Sequence, residues 1–378
     1  MKAKKGMRIG AVGAGGRMTG VLEQVLRFAP EARVTAVFEP DKEFMAEPAA
    51  KKFPDAVFCE SAEALCQRED VDWVFIGSPN KFHAAQAVAA FKAGKSVFGE
   101  KPIALTLADA LAMRAACRES KATFALGLVL RYSPLYRAAR EAIEAGRIGK
   151  IITFEFNEML TFNHGGYILG NWRRFTALSG GHMLEKCCHD LDLAMWLTDD
   201  VPARVASFGG LSFFKPENAG EQQRVGPGPK GELAFQTWPD PRAVNPFTSE
   251  KDVVDNQIAI MEFSKGSRAT FHTCCLSALP ERRFYMLGTE GSLRLNAYTG
   301  KLEICRIGWD QKPEEVIPIS GEGHAGADRP MCQNLVACMR GESAPAASFD
   351  EGIRSLIVAQ ALDRSMYEGR VTEVDLEY

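Results

Sequence analysis

The sequence has no run approaching the roughly 20 apolar residues of a membrane span, which argues against a spanning helix. It also lacks a surplus of positive charge. Its 45 Lys and Arg stand against 48 Asp and Glu, a net charge of −3. That balance leaves no electrostatic footprint for nucleic acid or an anionic membrane. No C-x-x-C or H-E-x-x-H spacing occurs, so no metal site is expected. Cys187, Cys188 and His189 are adjacent, and His272 stands near Cys274 and Cys275. Neighbouring helical residues point about 100° apart and neighbouring strand residues face opposite sides, so adjacency does not build a chelate. Ten cysteines in 378 residues do not make a disulfide scaffold. They read as thiols in a reducing, cytoplasmic compartment. Lys2, Lys4 and Lys5 read as a short solvated tail, since no apolar signal core follows them. Internal repeats and long low-complexity tracts are absent, and the length allows two domains.

What is present begins at Met7. The apolar run Ile9 to Val12 leads into Gly13, Gly15 and Gly16, and then into an amphipathic pattern with Val21, Leu22, Val25 and Leu26. This is strand, glycine turn, helix. Gly13 permits the turn, Gly15 lets a diphosphate approach the backbone, and the helix start offers free N–H groups. Met18 takes the third fingerprint position, where Gly or Ala is usual, which places helix–strand packing in question. A second strand, Val34 to Phe38, ends in Glu39, 26 residues after Gly13. An acidic residue about 20 positions on accepts hydrogen bonds from an adenosine ribose. Glu39 would repel a 2′-phosphate, and no Arg follows it directly, so NAD is favoured over NADP.

The first third alternates strand and helix, with further strands near Val57, at Trp73 to Ile76, at Ser96 to Phe98 and at Thr123 to Leu126. That alternation predicts a doubly wound parallel sheet, the Rossmann arrangement, over 1–130. A second domain, 131–378, is expected to bind substrate and to mediate oligomerisation. In it a helix at about 134–145 and a strand at Ile151 to Phe156 precede a loop at 158–180 and a helix at 181–197. A large, mostly antiparallel open sheet flanked by helices follows, with Gly266-Ser267 and Gly291-Ser292 as hairpin turns. Lys215 to Glu250 reads as a long insertion loop. Helices at about 326–340 and 350–368 close the chain, the last returning to pack on the first domain.

Chemistry-bearing residues gather at a few places. Glu185, His189 and Asp192 fall on one face of the expected 181–197 helix, beside an apolar stripe of Leu184, Cys188, Leu191 and Met195. A carboxylate one turn from a histidine orients the ring, and histidine titrates near neutral pH. An exposed helical ion pair is the competing reading. Glu100-Lys101-Pro102 sits at a strand end, where Lys101 is placed to hydrogen-bond a substrate oxygen. Ser78-Pro79-Asn80 leaves another strand end, with Asn80 a natural helix cap and His83 beside it. The stretch His164 to Phe175 joins donors and flat rings. Tyr167 or Trp172 would cover a sugar face, and Asn171, Arg173 and Arg174 would bind hydroxyls or a carboxylate. Asp255 and Gln257 share one strand face. Arg282 and Arg283 are weaker candidates, and His324 with Asp328 would pair one turn apart.

Taken together, GAVGAGGRM at 10–18, SPNKFH at 78–83, GEKPIALT at 99–106, LRYSP at 130–134 and the glycine-led helix to Leu197 resemble the glucose–fructose oxidoreductase / inositol dehydrogenase family (Gfo/Idh/MocA). These marks cover about half the chain. The resemblance implies that Lys101 and His189 work beside the nicotinamide, with Glu185 where many members have Asp. Coenzyme contacts are expected from Gly13, Gly15, Gly16, Arg17, Met18, Glu39, Ser78, Asn80, His83, Glu100, Lys101, Arg131, Trp172 and Arg173. Substrate contacts are expected from Lys101, His164, Tyr167, Asn171, Trp172, Arg173, Glu185, His189, Asp255, Gln257 and His324.

The function that follows is hydride transfer between a secondary alcohol of a sugar, sugar derivative or polyol and NAD. Either His189 or Lys101 would be the base. An NAD-dependent glycoside hydrolase using transient oxidation is an alternative, and a non-catalytic dinucleotide-binding regulator is a third reading. The family also implies a homodimer or homotetramer.

Overall fold

The computed structural model describes residues 7–236, 238, 240, 242–310, 312–316 and 323–378. The lysine tail at 2–5 and parts of the 215–250 insertion therefore lie outside the described residues. The chain forms two compact units. One runs to Tyr132 and includes Ala327–Leu356, and the other comprises Ser133–Gly326 and Ile357–Tyr378. The expectation of 131–378 as one block is thus corrected, because Ala327–Leu356 belongs with the nucleotide-type unit.

The first unit is built on six parallel strands: β1 (Arg8–Val12), β2 (Arg33–Phe38), β3 (Val57–Phe58), β4 (Trp73–Ile76), β5 (Ser96–Gly99) and β6 (Phe124–Leu126). Their order is β3-β2-β1-β4-β5-β6. The order reverses between β1 and β4, and ligands of such sheets bind beyond the carboxyl ends at that point. Trp73, Val74, Phe75 and Ile76 are all buried, as a sheet covered on both faces requires. Phe349, which opens the last long helix (Phe349–Glu368), stacks on Phe124 at 4.4 Å between ring centroids. Gly352 lies so close to Leu126 and Ile103 that a Cβ there would stand 2.7 and 2.9 Å from their side chains. The start of that helix belongs to the first unit and its later residues, from Ile357, to the second.

Among the described residues the second unit carries nine strands: β7 (Ile151–Thr161), β8 (Pro202–Gly210), β9 (Asn256–Phe263), β10 (Arg268–Ser277), β11 (Arg283–Gly288), β12 (Gly291–Asn296), β13 (Lys301–Arg306), β14 (Glu314–Val316) and β15 (Thr372–Glu373). The order is β14-β13-β12-β11-β7-β10-β9-β8-β15. All neighbours are antiparallel except the central pair β7 and β10. One sheet face is buried under stacked aromatics. Phe156 lies 4.6 Å from Phe271 and 5.0 Å from Phe284, centroid to centroid. The other face leaves Phe208, Ile258 and Ile260 exposed.

Three local expectations are corrected. The 158–180 stretch is mostly helical, with a helix at Phe162–Gly170 capped by the Thr161 hydroxyl, which accepts from His164 N. Its glycines are there for packing. A Cβ on Gly165 would meet the Cys275 carbonyl oxygen at 1.8 Å, and one on Gly166 that of Phe235 at 1.9 Å. The 181–197 helix is broken into His182–Glu185 and Cys188–Thr198. The turn between β11 and β12 falls at Thr289-Glu290, so Gly291-Ser292 begins a strand. The Gly266-Ser267 turn forms as expected.

Candidate active site

The glycine turn of the first unit has the geometry that a diphosphate needs. Gly13 has φ 82°, and a Cβ there would stand 2.7 Å from the backbone nitrogen of Ser78. Only glycine fits both constraints. Cβ positions on Gly15 and Gly16 would meet nothing within 4 Å, so this side of the turn is open. Gly15 caps the helix Gly16–Phe28 without any side-chain hydrogen bond, leaving its first N–H groups for a ligand. Met18 is buried and packs on Gly77, whose Cβ would lie 2.9 Å from the Met18 side chain. The small residue that usually sits on the helix has its counterpart on the facing loop. The Glu39 carboxylate accepts from Ala14 N at 2.8 Å and Asp41 N at 2.9 Å, which holds it at the end of β2 beside the glycine turn. These residues fit a dinucleotide with a free ribose 2′-hydroxyl.

Several residues expected at the coenzyme also brace the unit internally. The Arg17 guanidinium bonds Glu100 Oε1 at 2.8 Å and Asp328 Oδ1 at 2.5 Å. Two carboxylates neutralise it, so it ties the glycine turn to the Glu100-Lys101 loop. His83 is 2% exposed. Its Nδ1 lies 2.8 Å from the carbonyl oxygen of Pro102 and its Nε2 2.9 Å from that of Ser78. Burial pushes its proton affinity down. Both ring nitrogens face protein, which leaves none for a ligand. Arg131 reaches the Ala346 carbonyl and Glu351, bracing the segment that returns to this unit. Asn80 is buried at the start of the Asn80–Phe82 turn, and Ser78 donates to Gln86. Lys101 is half-buried, and its backbone N donates to Glu100 Oε2 at 3.3 Å.

In the second unit the His164–Phe175 stretch is drawn together around Arg173. Arg173 donates to Glu185 Oε1 at 2.9 Å and to the Tyr167 hydroxyl at 2.9 Å, and its guanidinium lies 4.4 Å from the Trp172 ring centroid. Asn171 is buried and caps the Trp172–Arg174 turn through a bond from Arg173 N. Tyr167, Asn171, Trp172, Arg173 and Glu185 thus form one cluster. Glu185 departs from its expected place, because the helix break puts it on a separate turn from His189 and Asp192 and pairs it with Arg173. His189 is 4% exposed at the start of Cys188–Thr198, with the His324 ring 6.4 Å away between centroids. His324 and Ala325 have φ 45° and 52°, so the helical turn assumed for pairing His324 with Asp328 is absent.

Asp255 and Gln257, expected at the substrate, are engaged in hydrogen bonds within the protein. The Asp255 carboxylate accepts from the backbone nitrogens of Ser212, Phe213 and Phe214 at 2.7–2.9 Å, pinning the chain after β8. Gln257 is fully buried and donates to Ser207. Arg283 pairs with Glu155 and Glu281.

Two features go beyond the sequence reading: the buried partners of Arg282, and Trp238. Arg282 bonds Asp190 in a bidentate pair and stands 2.9 Å from Glu158, which also meets Lys186 at 3.3 Å. This network is buried and includes Asp190, next to His189, and the helix break at Lys186–Cys187 accompanies the joining of both Lys186 and Asp190 to it. Its signal was the placing of Asp190 next to His189, which helical-face counting passed over. Trp238, from the insertion, stands 4.9 Å from Tyr167 and 5.2 Å from His164, ring to ring. Cys187 and Cys275 flank the buried His182 ring at 3.7 and 3.6 Å, and burial drives that imidazole down to about 4. Among the described residues no cluster is arranged to hold a metal ion.

A parallel sheet with this strand order and this glycine turn defines a dinucleotide-binding domain. Residues 7–128 match the family model described as the NAD-binding Rossmann fold of an oxidoreductase family, and 140–376 match that family's C-terminal alpha/beta domain. The chain belongs to the Gfo/Idh/MocA family. It is 27% identical over 325 residues to a 1,5-anhydro-D-fructose reductase of Ensifer adhaerens, covering 83% of each chain. It is 27% identical over 287 residues to a 2,7-anhydro-N-acetylneuraminate hydratase of Escherichia coli, covering 76% of this chain and 67% of that one. A levoglucosan dehydrogenase solved with NADH and levoglucosan has the same fold, with a TM-score of 0.79, 19% identity, and coverage of 97% of this chain and 99% of that one.

Proposed function

We propose that this enzyme oxidises a secondary alcohol of a sugar, sugar derivative or polyol, and that Lys101 and His189 manage the hydroxyl proton. The reading is carried by the open glycine turn with its uncapped helix start, in a chain whose two parts both match one oxidoreductase family. NAD, when bound, supplies the acceptor for the hydride leaving the carbinol carbon. The protein's share is to orient that carbon and to accept the proton. His189 is the base in this reading and Lys101 hydrogen-bonds the alcohol oxygen. Arg173, held by Glu185 and Tyr167, fixes the position of neighbouring hydroxyls. The ten free thiols suit a reducing compartment, so we place the enzyme in the cytoplasm.

Purified protein mixed with NAD and a panel of sugars and inositols tests the reading through NADH absorbance. Loss of NADH formation is expected in both Lys101→Ala and His189→Ala. Unchanged turnover in both variants would remove the assignment. Release of free sugar from a glycoside, with no net NADH, would favour the hydrolase alternative instead.

A further inference from the structure

We propose that Trp238, His164 and Tyr167 form an aromatic subsite for a second ring of the substrate, so that the natural ligand is a small glycoside rather than a free monosaccharide. The proposal rests on the sugar-oxidising reading above and adds a substrate class to it.

The insertion that carries Trp238 is fastened to the helix Phe162–Gly170. Asn163 Oδ1 accepts from Phe235 N at 2.6 Å and from Gln236 N at 3.3 Å. Gly166 lets the Phe235 backbone approach at a distance no side chain would tolerate. Phe235 itself sits at φ 63°, an uncommon conformation for a bulky residue, and is held there by burial among Leu160, Ile168, Phe214 and Phe247. The insertion is anchored by its own small core, and Trp238 follows that anchor by three residues.

The three rings meet edge to face. Trp238 makes interplanar angles of 79° with Tyr167 and 76° with His164. They form a corner and not a closed stack, and 51% of Trp238 remains exposed. A half-open indole flanked by an imidazole and a phenol offers a flat apolar wall with polar edges, which suits the C–H face of a pyranose or an aryl aglycone. The corner is joined to the Arg173 cluster of the proposed substrate site, because Arg173 donates both to the Tyr167 hydroxyl and to Glu185.

The test titrates the NADH-loaded enzyme calorimetrically with D-glucose, its phenyl glycosides, maltose and cellobiose, and with the matching galactose series. Wild type, Trp238→Ala and Trp238→Phe are compared. The expected result is at least one glycoside bound about tenfold tighter than its free hexose. That preference disappears in Trp238→Ala and survives in Trp238→Phe, with NADH affinity equal in all three. Phenyl and glycosyl arms distinguish an aryl from a sugar occupant. Equal affinity for hexose and glycoside in the wild type, or a preference that persists in Trp238→Ala, overturns the subsite. NADH formation with NAD-loaded enzyme judges the oxidation reading separately, since glycosides can bind at Trp238 without being oxidised.

Discussion

Arg282 and Asp190 face each other through two parallel hydrogen bonds of 2.8 and 2.7 Å, with both side chains buried next to His189. Glu158 and Lys186 complete a group of two cations and two carboxylates. Such a group gains little over an apolar core when whole, because desolvation opposes the attraction. Removing one member leaves a buried charge unmatched. Arg282→Met is therefore expected to destabilise the fold by about 3–5 kcal/mol, read from urea unfolding. A double replacement, Arg282→Met with Asp190→Leu, should recover part of that loss. A single variant as stable as wild type would contradict the account.

His83 joins the loop after β4 to the loop after β5 by lying between the carbonyls of Ser78 and Pro102. The second loop carries Lys101. Small misplacements of a reacting group cost rate heavily, up to roughly 100-fold for 1 Å. His83→Ala should lower kcat by about 10- to 100-fold while NADH affinity, which we assign to the glycine turn, changes far less. Steady-state kinetics and coenzyme fluorescence titration separate the two. Equal losses in kcat and NADH binding would show a general collapse of the unit instead of a loosened lysine loop.

The parallel sheet was legible because its strands are short apolar runs closed by glycine, proline and polar turns, and the order strand–glycine–helix admits few other readings. The 158–180 helix was not legible. Gly165 and Gly166 read as breakers, and only their close approach to Cys275 and Phe235, far along the chain, explains them. The same limit applies to the site. Glu185 and His189 stand four apart, a helical spacing, yet the buried pull on Lys186 and Asp190 accompanies a break between them. Asp255 and His83 carry the right chemistry for ligands, but backbone partners occupy them, the amides of Ser212 to Phe214 on Asp255 and the carbonyls of Ser78 and Pro102 on His83. Trp238 sits in a stretch of Pro, Gly and charge, where no periodicity marks a residue as important.

Burial raises Asp363 from its ordinary value of 3.8 to about 7, against the pull of a hydrogen bond with Gln257. The folded chain then holds a proton that the unfolded chain has released. The contribution to stability is full below about pH 4, shrinks as pH rises and is gone above about 7. Asp363→Asn keeps the neutral form at every pH. It should match wild type near pH 4 and exceed it at pH 8 by roughly 2–4 kcal/mol. Urea unfolding across that range checks the sign, and a constant offset between the two proteins would contradict it.

The open face of the nine-stranded sheet places Phe208 of β8 opposite Ile258 of β9, with Ile260 two residues along the same face, and all three are exposed at 74, 49 and 58%. An alternating strand normally turns polar residues to water. A contiguous apolar patch on such a face marks a surface that is covered in use. We propose a second copy of the chain as the cover, giving a homodimer or homotetramer. The pairing of Arg204 with Glu262 on the same face adds charges that two copies can exchange across a symmetric contact. Ile258→Lys together with Phe208→Glu should shift the mass in analytical ultracentrifugation to that of one chain. Because both side chains point away from the core, the melting of the chain itself should change little at low concentration. A wild-type protein that sediments as one chain at micromolar concentration would end this proposal, and so would variants that keep the wild-type mass.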